Sequence, residues 1–202
     1  GPQIMMQKTV HSLGPFDKVE LMYKAFFIAI VLGVFMSVAG AKNMQDFDKL
    51  WNFNNPSETE AKFRALVPGA KNSGDKDYYL QLLTQVARTQ GLQRKFNEAH
   101  KTLDEVLPSL GPQTQKAEVR YWLERGRVFN SSKKPQEAWP LFVKAFDFAT
   151  ARGMDNLAVD AAHMVAIAEP KPEKQLEWNL KAISIAEKSQ DQQARDWLGS
   201  LS

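Results

Sequence analysis

The stretch Tyr121–Ala145, YWLERGRVFNSSKKPQEAWPLFVKA, decides the fold. Large and small apolar residues recur in it at helical spacings, namely Trp122, Gly126, Phe129, Ala138, Phe142 and Ala145. Residues three or four apart share one face of a helix, so the pattern predicts two facing helices. The small residues let the helices approach closely, while the aromatic residues fill the volume beside them. We therefore interpret these residues as packing residues and not as a catalytic arrangement.

The same element recurs along the chain. Ala99 and Leu103 lie 39 residues before Ala138 and Phe142, and Ala182 follows Ala145 after a further 37 residues. A repeat period in this range is typical of stacked helical hairpins.

The spacing of these residues resembles the signature of the tetratricopeptide repeat (TPR) family. The resemblance is strongest at Tyr121–Ala145 and covers about residues 75–202, with a degenerate hairpin expected within 42–74. It departs from the family at Arg125 and Thr150, where Leu and Pro are usual, and at His163, which stands at a small position. The resemblance implies a right-handed superhelical solenoid whose concave groove binds other proteins.

Apolar periodicity and the positions of Pro and Gly predict an all-α chain beyond Lys42. Ser57 with Glu60 has the form of a capping box, and Gly91 is expected to end a helix in the left-handed conformation. Pro140 predicts a bend or a later start in its helix. The predicted helices are Met44–Asn52, Ser57–Val67, Lys76–Gln90, Gln93–Leu107, Gln113–Phe129, Pro135–Arg152, Asn156–Glu169, Pro172–Ser189 and Gln192–Leu201.

Composition limits the chemistry. The 202 residues are 44% hydrophobic and 24% charged, as in an ordinary folded domain, and the formal charge of +3 is scattered without a basic stripe. We therefore expect no nucleic-acid partner. The chain has no Cys and only three His, at positions 11, 100 and 163, which local spacing does not bring together. We predict no catalytic residues, no metal site and no cofactor.

The N-terminal region predicts export. Lys24 is followed by an apolar run over Ala25–Val38 and then by Ala39-Gly40-Ala41, the three-part pattern of a signal peptide over residues 22–41. We expect cleavage after Ala41 and a periplasmic or extracellular protein; the alternative is a retained anchor over residues 25–41. Residues 1–21 resemble a tag or upstream read-through, and we expect them to be unstructured.

Mapping the repeat register predicts which residues face the groove. Arg88 and Arg127 fall at equivalent places in successive repeats, where they could hold a carboxylate of an extended, possibly acidic peptide; the alternative is two ordinary solvated arginines. The predicted groove residues are Gln81, Thr84, Arg88, Arg120, Leu123, Arg127, Leu157, Asp160 and Met164.

The far end of the chain is apolar. Trp197, Leu198 and Leu201 stand where another repeat should begin, so we expect the chain to be truncated, with possible self-association through this uncapped end. Two functions stay open. The first is an exported, non-enzymatic scaffold that binds a peptide or protein partner. The second is a membrane-anchored sensory segment of a longer signalling protein with its output domain beyond Ser202.

Overall fold

The computed structural model describes residues 44–201, and within them every regular element is helical, as predicted. The predicted upstream segment and the predicted signal peptide or anchor lie outside the described residues. After a 3₁₀ turn over Phe47–Leu50, the α-helices are α1 (Pro56–Asn72), α2 (Lys76–Leu92), α3 (Phe96–Val106), α4 (Gln115–Ser131), α5 (Pro135–Ala151), α6 (Asp155–Ala168), α7 (Pro172–Lys188), α8 (Gln192–Asp196) and α9 (Leu198–Leu201).

Each helix packs against the next one in the chain. In addition, α2 packs along α4, and α4 contacts α6. The hydrophobic core runs between these helices and includes buried residues from α2 through α6. Helices α2, α4 and α6 therefore form neighbouring first members of three helix pairs, α2–α3, α4–α5 and α6–α7.

The packing residues read from the sequence lie in the core. Trp122, Ala138, Phe142 and Ala145 are buried, as are Ala99 and Leu103 of the preceding pair, and Phe129 packs partly buried against them. A Cβ atom built on Gly126 would lie 2.4 Å from Cε1 of Phe142. Glycine is therefore required where α4 meets α5.

Hydrogen bonds between neighbouring helix pairs repeat at nearly the same sequence separation. Gln85 Nε2 donates to Glu124 Oε1, and Arg120 Nε donates to Gln81 Oε1, each across 39 residues. The Ala117 amide donates to Asp77 Oδ1 at 3.0 Å across 40 residues. Asp77 of α2 therefore satisfies one of the free amides at the start of α4.

Three details at the N-terminal end differ from the sequence predictions. Only Phe47–Leu50 is helical within the predicted Met44–Asn52 helix, because Trp51 has extended backbone angles. Helix α1 is capped by Asn55, whose side chain accepts a hydrogen bond from the backbone amide of Glu58. The prediction of a capping box formed by Ser57 and Glu60 is therefore wrong.

Helix α1 also continues through Pro68 to Asn72, beyond the predicted end at Val67. Phe63 and Ala70, two turns apart, are both buried on one face, which favours a continuous helix. Pro140 likewise lies inside α5, which begins at Pro135 and not later. The left-handed residue after α2 is Arg94, whereas Gly91 lies inside the helix.

The C-terminal end is packed against the helix pair before it. Trp197, Leu198 and Leu201 are partly buried against Val159 of α6, Ala182 and Ala186 of α7 and Ala194 of α8. Trp197 Nε1 donates to Asn156 Oδ1 at 2.9 Å. The expected exposed apolar end is therefore not seen at these residues; the exposed apolar side chains of this region are Ile167, Leu176 and Leu180.

Candidate partner-binding face

Three arginines predicted to line the groove lie together on the face formed by α2, α4 and α6. Three carboxylates lie among them, so the formal charges of the six side chains cancel. We call this cluster the arginine face; its members are Arg88, Arg120, Arg127, Asp48, Glu124 and Asp160.

Arg127 is the centre of the arginine face. Its guanidinium donates to Glu124 Oε1 at 2.7 Å and to Asp160 Oδ1, and its side chain is only 14% exposed. Burial by itself would lower the pKa of Arg127, but the two carboxylates raise it above its ordinary value. Burial would raise the pKa of Asp160, but Arg127 and then Arg88 hold it below its ordinary value. Arg127 therefore forms internal ion pairs with Glu124 and Asp160 and is not a solvated arginine.

Arg120 connects α4 to the N-terminal 3₁₀ turn. Its two terminal nitrogens donate to the two carboxylate oxygens of Asp48, at 3.2 and 2.5 Å, and its Nε donates to Gln81 Oε1 at 3.1 Å. The guanidinium also lies 5.4 Å from the ring centroid of the buried Phe47. Planar, two-point pairing of this kind fixes both position and orientation, so the N-terminal turn is held against α4.

Arg88 differs from the other two arginines. Its nearest carboxylate oxygen, Glu124 Oε1, is 3.8 Å away, too far for a hydrogen bond, and the Arg88 guanidinium makes no hydrogen bond to any residue in 44–201. The guanidinium instead lies 5.3 Å from the ring centroids of Trp51 and Phe53, which stack 4.7 Å apart. Burial, and then the charge of Arg127, lower the pKa of Arg88. The donors of Arg88 are therefore available to a ligand.

Arg88 borders two cavities. The larger, of about 530 Å³, has polar and aromatic walls from the N-terminal turn, from α6 and from the C-terminal helices; they include Trp51, Phe53, Asp160 and Trp197. The smaller, of about 190 Å³, is lined by Arg88, Glu124 and Arg127 together with Gly91, Leu92, Val128, Asn130, Ser131 and Met164. The two cavities share Arg88, so one extended ligand could occupy both.

Not all predicted groove residues line this surface. Thr84 and Leu123 are fully buried, and the Thr84 hydroxyl donates to the Gln81 carbonyl at 2.6 Å, so their assignment to the groove is wrong. Leu157 lines the larger cavity and Met164 the smaller one. Thr84 and Leu123 both have the spacing of the predicted face, but each is buried in the packed interior and does not reach its surface.

Sequence reasoning missed several residues of the face. Asp48 and Trp51 belong to a segment predicted as an ordinary helix, and Phe53 directly follows it. Their contacts with α2 and α4 leave no local pattern. Glu124 had a detectable signal, because it stands 39 residues after Gln85, its hydrogen-bond partner, in the same repeat register.

Polar chemistry elsewhere is structural in character. Arg125 occupies the position where the repeat pattern expects Leu, and it is largely buried between α3 and α4. It contacts His100 Nδ1 at 2.6 Å and donates to Asp104 Oδ1 at 2.5 Å. Burial, and then the charge of Arg125, lower the pKa of His100. Among residues 44–201, no group of three His, Asp or Glu side chains is placed to hold a metal ion.

Comparison with known proteins adds no assignment. The chain matches none of the protein-family models, and no curated protein matches it. The resemblance to the tetratricopeptide repeat therefore depends on the residues quoted above. None of the described helices combines the length and the apolar character that crossing a membrane requires.

Proposed function

We propose that the chain is an exported, non-enzymatic scaffold of TPR-like helix pairs that binds an extended peptide of a partner protein along the arginine face. Three observations support the proposal: the resemblance at Tyr121–Ala145, the hydrogen bonds that link neighbouring helix pairs across 39 residues, and the helix-only architecture of residues 44–201. The proposal includes the arrangement of these helix pairs as a right-handed superhelical solenoid.

The observation that carries the proposal is the pair of cavities that share Arg88. The larger has a volume of about 530 Å³, which lies within the usual range of ligand sites, roughly 300–1,000 Å³. Stacked aromatic rings beside an arginine are the kind of contact that dominates binding at protein interfaces. Arg127 and Arg120 already hold carboxylates of the chain, so recognition through charge falls to Arg88.

The proposal can be tested with peptides. We would select 12-residue peptides from a random display library against the full chain and measure their dissociation constants by fluorescence anisotropy. Arg88→Gln should weaken the selected peptides by about tenfold or more, the usual effect of truncating a central interface arginine. Lys101→Gln removes the same charge at an exposed position of α3 and should leave the affinity unchanged.

Circular dichroism of each variant checks that it is folded. If no peptide is selected, or if folded Arg88→Gln binds the selected peptides as the wild type does, the arginine face is not the binding surface.

A further inference from the structure

Helix α7 carries an apolar stripe on its outer side. Leu176, Leu180 and Ile183 are spaced four and three residues apart, so they share one face of the helix. Leu176 is 60% exposed, Leu180 is 54% exposed and Ile183 is partly buried. The core side of α7 is formed by other residues, Ala182 and Ala186, which are fully buried. Neighbouring exposed apolar side chains on a folded domain are typical of an interaction surface.

The equivalent surface of the preceding helix pair is covered. Trp139 and Val143 of α5 stand 37 residues before Leu176 and Leu180, which is the repeat offset in this part of the chain. Both are partly buried and pack against the core, and Trp139 borders residues 168–170 at the end of α6. On α5 these positions therefore lie beside the next helix, whereas on α7 the described helices leave them open. The surface thus has the shape that accommodates a helix.

The charges beside the stripe are self-complementary. Lys174, Glu177 and Lys181 lie along one flank of α7, where Glu177 forms exposed ion pairs with Lys174 at 2.8 Å and with Lys181 at 3.1 Å. The order of charges along this flank is positive, negative, positive, so it is the same in both directions. Such a flank is complementary to an antiparallel copy of itself, which is the arrangement of a two-fold symmetric interface.

One register of two antiparallel α7 helices aligns the stripe and the charges together. When Leu176 of one copy lies against Leu180 of the other, Glu177 is two residues along the helix axis from Lys181 of the other copy. At a rise of 1.5 Å per residue this axial offset is about 3 Å, which the flexible lysine side chain spans. The two-fold axis repeats each contact, so the interface contains two apolar contacts and two ion pairs.

We propose that the apolar stripe of α7, formed by Leu176, Leu180 and Ile183, is the interface of an antiparallel homodimer, in which Glu177 of each copy pairs with Lys181 of the other. The inference goes beyond the proposed function and does not rest on it, because the arginine face is built from other helices. The dimer leaves both arginine faces free to bind peptides.

The first test measures the oligomeric state of the full chain by sedimentation equilibrium. Up to about 1 mM the wild type should show a monomer–dimer equilibrium; this range is needed because an interface of one helix per chain is small and weak. Leu180→Glu places two carboxylates at the centre of the interface and should be monomeric throughout. Leu107→Glu is the matched control, since Leu107 is 51% exposed outside α7, and it should dimerise as the wild type does.

Circular dichroism checks that each variant is folded. A monomeric wild type, or folded Leu180→Glu that dimerises as tightly as the wild type, overturns the inference.

The second test reverses charges at exposed positions. Glu177→Lys and Lys181→Glu each place like charges opposite one another at both symmetric contacts, so each variant alone should dimerise at least about tenfold more weakly than the wild type. An equimolar mixture restores opposite charges at both contacts and should form a heterodimer with about the wild-type affinity. A mixture that associates no better than its components refutes the antiparallel pairing. These variants also provide the test if Leu180→Glu does not fold.

The dimer and the scaffold function fail separately. Arg88→Gln should leave dimerisation unchanged, and Leu180→Glu should leave the binding of selected peptides unchanged. Loss of dimerisation in Arg88→Gln would contradict the assignment of the interface to α7.

Discussion

Replacing Gly126 by alanine should destabilise the chain through a clash with Phe142. The added Cβ would lie 2.4, 2.8 and 2.9 Å from three ring atoms of Phe142, a fully buried side chain. Relieving these contacts requires α4 and α5 to move apart, and overpacking of this kind costs about 1–3 kcal/mol. Alanine also favours a helix over glycine by about 1 kcal/mol, which offsets part of the cost.

Gly69→Ala separates the two effects. Gly69 lies inside α1, and a Cβ there would meet no atom within 4 Å, so only the helix preference changes. The difference in unfolding free energy between the two alanine variants therefore isolates the steric cost, about 1–3 kcal/mol. In a chain of this size this corresponds to roughly 2–4 °C of melting temperature per kcal/mol.

Thermal and urea unfolding followed by circular dichroism at 222 nm would measure the difference. Adding Phe142→Leu should recover part of the loss in Gly126→Ala, with a coupling energy of about 1 kcal/mol or more, because the shortened side chain leaves room for the methyl group. Equal melting temperatures for Gly126→Ala and Gly69→Ala would show that the α4–α5 contact is not close.

Two further stability predictions concern buried charges. Arg127→Gln leaves Glu124 and Asp160 without their shared cation and should cost about 3–5 kcal/mol in urea unfolding, whereas Lys181→Gln, which breaks an exposed pair, should cost under about 1 kcal/mol; similar losses would mean that the Arg127 pairing contributes little. The pKa of His100 is lower in the folded chain than in the unfolded chain, so as the pH falls His100 is protonated first in the unfolded chain. The stability that neutral His100 contributes is therefore complete above about pH 6.5 and decreases as the pH falls below that value. The melting temperature of His100→Gln should therefore fall less than that of the wild type between pH 7.5 and 5.5, and parallel falls would contradict this.

The packing could be predicted from the sequence because it depends on local periodicity. Trp122, Gly126, Ala138 and Phe142 fix which faces of α4 and α5 meet, and each lies within one or two turns of another member of the pattern. A helix repeats its surface every three to four residues, so this information is contained in short windows of sequence.

The charge pairing could not be predicted in the same way. Arg120 and Asp48 are 72 residues apart, and Arg127 and Asp160 are 33 apart, so no short window contains both partners. The repeat register placed the arginines and Asp160 on one face, but it did not place Asp48 or Glu124 there. Neither interpretation of Arg127 from the sequence, a ligand-binding arginine or a solvated one, includes this internal pairing, in which its donors are used within the chain.

The hydrogen bond from the Ala117 amide to Asp77 has a consequence for engineering. The first turn of α4 takes one of its caps from the preceding helix pair and not from a neighbour in sequence. A unit excised at the loop before α4 would lose this cap, and a unit grafted in front of α4 would need an acidic residue two positions into its own first helix. The natural unit of exchange in this chain is therefore offset from the helix pair: it begins with an acceptor that serves the unit after it.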